Sequence, residues 1–372
     1  MSAVILKTFN DSGCFAHLVG DPETRAALLI DGKAGRRAVY ERALKDYDLK
    51  LAGVVDTHTH ADHLSDSAAW VKLGLPLYMG AATECARPHV ALKDSAKVTV
   101  GALTFTALEV PGHTNDSIAL FWNGVGNGGG NGGGNDGGPG VVFTGDTLFA
   151  GSLARADFRG SDPVRLFDSV QSKLMKLPDA TIVLSGHGYQ DVLFTTIGHE
   201  RAHNAALQHP NAAAYAKSLN AIEGRGNTPE VDVTLETNLS ADPHLPEGPQ
   251  VVAACCSMGG APIAGARIRE QRCDELAPRR ADLVAKHSWI DVRDPWEWKA
   301  GRIPGVPNFP LSELGFHLDE LKQLAPQVIS CRSGSRSMTA AKTLTYLGVL
   351  RDPISMVGGF GKWEELKLPV EK

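Results

Sequence analysis

Residues 57–63 read Thr57-His58-Thr59-His60-Ala61-Asp62-His63, directly after the apolar run Leu51-Ala52-Gly53-Val54-Val55-Asp56. The run reads as a buried strand and the seven residues after it as the loop at its end. Four side chains able to hold a metal, His58, His60, Asp62 and His63, fall within six residues. Imidazole and carboxylate are ligands for zinc, iron and manganese. A loop can aim several of them at one point, whereas a regular strand or helix would scatter them. Three later stretches each set one candidate ligand beside a glycine after an apolar strand. They are Pro111-Gly112-His113-Thr114, Thr144-Gly145-Asp146-Thr147 and Ser185-Gly186-His187-Gly188. Together, and in this order, they point to one metal centre.

Outward from that loop, Ser65 reads as the N-cap of a helix ending near Gly74, and 103–108, 118–122 and 141–144 read as strands. Between the last two, Gly124–Gly140 holds eleven glycines in seventeen residues. That composition cannot pack a core and suits a flexible loop at a hairpin tip. No Gly-Lys-Ser/Thr and no helix pattern follows it, which excludes a phosphate-cradling loop. A helix is expected over 163–176, with Leu166, Val170, Leu174 and Leu177 on one stripe, then a strand over 181–184 and a helix over 196–207. The stretch 239–265 is rich in Pro, Gly and Ala and weakly periodic, so the domains are expected at 1–248 and 266–372 with 249–265 as linker. Beyond it, strands at 289–292 and 328–330 alternate with helical segments, including 338–347 stopped by Gly348. That alternation predicts a small parallel α/β domain.

The whole-chain balance fits this division. At 372 residues the chain exceeds one average domain, and 43% hydrophobic with 21% charged residues is a globular composition. A net charge of -5 offers no basic field for nucleic acid. No run approaches the roughly 20 apolar residues of a membrane helix, and Met1-Ser2-Ala3-Val4 opens no secretory signal. Six cysteines are too few for a disulfide scaffold, so a reducing, cytoplasmic compartment is expected. The oligomeric state is left open, a homo-oligomer included.

The ligand series resembles the metallo-β-lactamase superfamily, whose His-x-His-x-Asp-His motif and later His, Asp and His are all present over roughly residues 1–248. The resemblance implies an αββα sandwich with a metal site at one sheet edge. Two subfamilies compete. Glyoxalase II-type thioester hydrolases would use His58, His60, Asp62, His63, His113, Asp146 and His187 to hold two zinc ions. Persulfide dioxygenases hold one Fe(II) per chain, here through His58, His113 and Asp146, with His60, Asp62, His63 and His187 as hydrogen-bonding groups around them. The flanking sequence is similar to the dioxygenases: Arg155-Ala156-Asp157-Phe158 matches a segment whose Arg and Asp shape the glutathione pocket, and His187-Gly188-Tyr189 matches His-Asp-Tyr, whose Tyr lies near the iron. Gly188 departs from the usual Asp. His199-Glu200-Arg201-Ala202-His203 fits a zinc-protease pattern, but its surroundings instead match the dioxygenases' Glu-Arg-x-x-Asn, as Glu200, Arg201 and Asn204.

Near the other end, Ser330-Cys331-Arg332-Ser333-Gly334-Ser335-Arg336-Ser337 lies between a predicted strand and a predicted helix. The helix N-terminus and two arginines favour a thiolate or persulfide anion there, which marks Cys331 as a nucleophile assisted by Arg332 and Arg336. This region, with Asp291-Val292-Arg293-Asp294 and Gly301-Arg302-Ile303-Pro304-Gly305, resembles the rhodanese family over about 266–372. The six-residue loop Cys331–Arg336 is that of sulfurtransferases rather than of the related phosphatases. The other five cysteines, 14, 85, 255, 256 and 273, have no such surroundings in sequence. The two resemblances imply a bifunctional enzyme. One centre would oxidise glutathione persulfide with O2 to sulfite and glutathione, and the other would move sulfane sulfur between thiosulfate and glutathione, with Tyr189 among the catalytic groups. The alternative is a dizinc thioester hydrolase carrying a sulfur-carrier domain.

Overall fold

A computed structural model describes residues 4–124, 138–188, 191–219, 228–243 and 267–372. The linker expected at 249–265 and the tip of the glycine-rich stretch lie outside the described residues, as do Tyr189, Cys255 and Cys256. The chain divides into two compact units, residues 1–189 with 196–260, and 190–195 with 261–372.

In the first unit one sheet contains Ile5–Asp11 (β1), Cys14–Gly20 (β2), Ala26–Ile30 (β3), Lys50–Val55 (β4), Leu77–Gly80 (β5) and Val90–Leu92 (β6), in that spatial order. β1 to β3 pair antiparallel and β3 to β6 parallel. The chain then forms Lys97–Val100 (β7), Leu103–Glu109 (β8), Ile118–Trp122 (β9) and Val141–Gly145 (β10). The short pair Leu148–Phe149 (β11) and Ser152–Leu153 (β12) follows, then Ile182–Ser185 (β13) and Thr195–Thr196 (β14). The second sheet runs β14-β13-β10-β9-β8-β7.

β2, β10 and β13 are buried along their whole length, because both faces of each sheet are covered. On the outside of the first sheet, Tyr40 and Trp70 from the helices Arg37–Asp46 and Ser67–Lys72 pack on Leu29, Val54, Leu77 and Met79. On the outside of the second, Leu166, Phe167 and Val170 from the helix Pro163–Ser172 pack on Ala119, Val142 and Val183. Between the sheets the rings of His17 and Phe143 meet at 5.4 Å. The result is the expected αββα sandwich.

The strands fall where the apolar runs place them, and the antiparallel pairing of β9 with β10 makes the glycine-rich stretch a hairpin connection. The helices are shorter than expected. The first motif helix is capped at Asp66, and Ser65 instead donates to Asp56 and accepts from the amide of Ser67. The 163–176 helix tightens to a single 3-10 turn after Ser172. The 196–207 helix breaks at Asn204, whose side chain accepts from the amide of Ala206 and so starts a new turn.

The second unit is a four-stranded parallel sheet, Arg269–Arg272 (β15), Trp289–Asp291 (β16), Val328–Ser330 (β17) and Ile354–Val357 (β18), ordered β15-β18-β17-β16. Its core centres on Trp289 and Trp363, edge to face at 5.8 Å, with Leu276, Ile303 and Met356 around them. The helix Ser335–Tyr346 is followed by Gly348 at φ +67°, the stop expected from sequence. Among the described residues no helix is long and apolar enough to cross a membrane.

Candidate metal centre and cysteine loop

The motif loop leaves the end of β4 without regular structure, so its backbone must find partners elsewhere. Asp31 accepts from the amide and hydroxyl of Thr57, and Asp116 accepts from those of Thr59. Asn238, from the helix Pro229–Leu239, donates to the carbonyls of His60 (2.9 Å) and His63 (2.8 Å) and accepts from the amide of Ser65. Sequence reading missed Asn238, because nothing near it in the chain marks it. Gly145, at φ +49°, turns the chain just before Asp146, and a Cβ there would sit 2.1 Å from the Thr57 hydroxyl.

His58, His113 and Asp146 are 2% exposed or less and offer donor atoms that lie within 4.8 Å of one another. His58 Nε2 is 4.0 Å and His113 Nε2 3.7 Å from Asp146 Oδ2. None of these three buried atoms has a hydrogen-bond partner. Their far sides are all engaged: His113 Nδ1 donates to the carbonyl of Arg155 at 2.8 Å, His58 Nδ1 meets the Thr57 hydroxyl, and Asp146 Oδ1 faces His187 Nδ1 at 2.8 Å. A carbonyl can only accept, so His113 carries its proton on Nδ1 and keeps the Nε2 lone pair free. Burial, with His60 and His113 nearby, depresses His58 to about 3, leaving it neutral and able to ligate. Orphaned buried donors aimed at one point are what a bound cation would satisfy, so these residues fit a metal.

Of the other four motif residues, His60 (both nitrogens), Asp62 (Oδ1) and His63 (Nε2) also keep buried atoms without a hydrogen-bond partner. His60 Nε2 lies 3.4 Å from Asp31 Oδ1. His187 sits between two carboxylates, with Nδ1 on Asp146 and Nε2 on Asp62 Oδ2 at 3.0 Å. Burial opposes its protonation, but Asp146 and Asp62 outweigh that and hold it well above the usual imidazole range. His63 Nδ1 also reaches Asp62 Oδ2 at 3.0 Å; burial opposes its charge too, yet Asp62 leaves it at about 10.

One residue at this centre contradicts the sequence reading, which found nothing around Cys14. Its thiol is buried, 3.5 Å from Asp62 Oδ2, although 48 residues separate them. Burial raises the thiol, and hydrogen bonding to His187 and His63 brings it below its ordinary value. The β1–β2 hairpin carries Cys14 there, zipped to the His187 loop by Phe15 N to Gly186 O and Gly188 N to Gly13 O. The same pairing explains Gly188: a Cβ at this position would lie 2.0 Å from the Phe15 ring.

Arg155 Nε donates to Asp157 Oδ1 at 2.7 Å and its guanidinium lies over Phe158, whose ring packs on His113 at 5.0 Å. In the decoy motif Glu200 is buried, accepting from Gly151 N and Asn204 Nδ2, while the rings of His199 and His203 stack at 4.4 Å. Neither joins a metal-capable group among the described residues.

In the second unit Cys331 follows β17, and its Sγ accepts from the amide of Gly334 at 3.1 Å, at the start of the Ser335–Tyr346 helix. Its carbonyl accepts from Phe360 N, and a side chain at Gly359 would collide with it at 2.4 Å. The two arginines diverge. Arg336 is half-buried on Glu297 and Asp294, whereas Arg332 is 53% exposed and paired with Glu364 at 2.7 Å. Arg332 lines a cavity of about 280 Å³ with Trp296, Phe360 and Glu364.

Two family models match the chain, the metallo-beta-lactamase superfamily over residues 11–187 and the rhodanese-like domain over 274–366. The hydroxyacylglutathione hydrolase of Rhodopseudomonas palustris is 32% identical, across 69% of this chain and 93% of that protein. The mitochondrial persulfide dioxygenase ETHE1 of Homo sapiens is 25% identical, across 65% and 90%. The crystal structure of ETHE1 from Myxococcus xanthus superposes with a TM-score of 0.57 at 28% identity, covering 64% of this chain and 100% of that one.

Proposed function

We propose, because this chain belongs to the metallo-β-lactamase superfamily and ends in a rhodanese-like domain, that it is a two-centre enzyme of sulfur metabolism. Its first centre oxidises glutathione persulfide and its second exchanges sulfane sulfur. One observation carries the reading: His58 Nε2, His113 Nε2 and Asp146 Oδ2 are buried, without hydrogen-bond partners, and gathered in one metal-capable group, while His187 spends both nitrogens on carboxylates. That is a two-His, one-carboxylate face.

One Fe(II) held by His58, His113 and Asp146 would supply open positions for persulfide sulfur and O2. The chain's own residues do the rest. His187 fixes the second oxygen of Asp146, and the Arg155 carbonyl fixes the ring of His113. Arg155 and Asp157 bind the peptide part of glutathione, and Tyr189 guides a proton. The reaction balances as persulfide plus O2 plus water to glutathione, sulfite and two protons. At the second centre the Cys331 thiolate takes the outer sulfur of thiosulfate, sulfite leaves, and glutathione thiolate removes the sulfur as persulfide; Gly334 N–H and Arg336 stabilise the anionic sulfur. We assign residues 1–248 to the first activity, 266–372 to the second and 249–265 to the connection. Cys14, Cys85, Cys273 and Cys331 are free thiols, which suits a reducing cytoplasm.

The R. palustris relative supports a second reading, a dizinc thioester hydrolase with a sulfur-carrier domain. Metal analysis beside an oxygen electrode separates the two. The dioxygenase reading expects one iron per chain and O2 uptake only with a low-molecular-weight persulfide. Cys331→Ser should abolish thiosulfate-dependent turnover and leave oxidation of supplied persulfide. Two zinc ions and anaerobic cleavage of S-lactoylglutathione would overturn it.

A further inference from the structure

We propose, resting on the reading of the second centre as a sulfur exchanger, that the cavity beside its cysteine loop holds the sulfur acceptor by a zwitterionic amino-acid end. The γ-glutamyl end of glutathione is such a group. Its carboxylate pairs with Arg332, its ammonium with Glu364, and its hydrocarbon part lies against Trp296. The thiol proton goes to solvent and the acceptor thiolate attacks the outer sulfur of the Cys331 persulfide. A new S–S bond forms, the old one breaks, and Cys331 leaves as the thiolate with no net oxidation.

The cavity is built on the backbone that carries the nucleophile. Trp296 and Ala300 stand one turn apart on the helix Pro295–Ala300, and Phe360 and Glu364 one turn apart on Gly359–Glu365, so each pair shares a helix face. The second helix is joined to the cysteine loop, where Phe360 N donates to Cys331 O at 2.7 Å and Gly361 N to Arg332 O at 2.9 Å. Charge then selects the guest. Two arginines and two glutamates line the cavity, but Arg293 spends its guanidinium on Asp291 and on the carbonyls of Glu297 and Gly301, and Arg336 takes both carboxylate oxygens of Glu297. That leaves Arg332 and Glu364, 53% and 45% exposed and paired with each other at 2.7 Å. An exposed pair of this kind contributes little and opens at small cost. A zwitterion replaces it with two charge-assisted contacts, whereas a lone anion or cation would strand one partner. Trp296, 47% exposed, supplies the apolar surface. A volume of about 280 Å³, near the roughly 300 Å³ at which small-molecule sites begin, suits one amino-acid end rather than a protein segment.

The test runs the full-length chain with thiosulfate as donor and compares glutathione with cyanide, which accepts the same sulfur as thiocyanate but lacks both the carboxylate and the ammonium. Trp296→Ala and Glu364→Gln should each lower kcat/KM for glutathione relative to that for cyanide by about 5- to 10-fold, through a raised KM. The wild type should prefer glutathione to N-acetylcysteine, which keeps a carboxylate but has no ammonium, and Glu364→Gln should remove that preference. The cyanide reaction reports in each sample whether the cysteine loop is intact, so a folding defect is not mistaken for a lost contact. Thiocyanate formed with an unchanged ratio in both variants would overturn the acceptor site alone. So would an equal loss with N-acetylcysteine in Glu364→Gln, the result expected if Glu364 only braces Arg332. No thiocyanate from the wild type would overturn sulfur exchange itself, and the acceptor site with it.

Discussion

Around Asp62 three donors compete for one carboxylate oxygen, and the competition sets how this centre answers to pH. His63 titrates near 10 in the folded chain against 6.5 for free imidazole: burial alone would lower it, and Asp62 outweighs burial. A pKa raised by folding contributes stability that is complete below about pH 6.5 and is lost as pH climbs towards 10. The metal-free protein should therefore melt at a lower temperature at pH 10 than at pH 7. Asp62→Asn should flatten that dependence, and a slope unchanged in the variant would place the titration elsewhere. Gly188 carries a second expectation at this scale. Restoring the relatives' aspartate by Gly188→Asp drives a side chain into Phe15, and overpacking of this kind costs about 1–3 kcal/mol. Urea unfolding should show that loss, and Phe15→Ala in the same chain should recover part of it.

Among the elements, the helix Pro163–Ser172 does more than cover the second sheet. The amide of Asp162 donates to Gly112 O at 2.7 Å, which ties the start of the helix to the loop that presents His113. The Asp162 side chain accepts from the amides of Val164 and Arg165, satisfying two of the donors a helix start leaves open. Asp162→Ala should cost about 1 kcal/mol, and Leu166→Ala, at a fully buried position, about 2–5 kcal/mol. Denaturant unfolding measures both, and equal small losses would deny Leu166 its place in the core. The leucine and valine stripe of this helix was readable from its spacing. Its early end was not, because no breaker residue stands between Ser172 and the 3-10 turn Leu174–Lys176.

For the molecule as a whole, each unit has its own core, one on Leu166, Val170 and Val183 and the other on Trp289, Trp363 and Met356. A ligand stabilises only the unit that binds it. Stripping metal with a chelator should lower the melting temperature of one calorimetric transition and leave the other in place. A uniform shift of the whole profile would mean the units unfold together. Distance along the chain also explains what stayed hidden at this scale. Asn238 clamps the motif loop from 175 residues away, and Cys14 reaches Asp62 across 48.

The metal chemistry and the nucleophilic cysteine were determined locally. Each is written in a contiguous run, strand end followed by loop or loop followed by helix, and such runs dictate their own conformation. Tertiary structure decided how each side chain is used. Asp31 draws in His60, Glu364 takes Arg332 away from Cys331, Phe15 leaves no room at 188, and Cys14 joins the metal residues. Partners far apart in the chain meet only when strands pair and sheets pack, so no local pattern could record them.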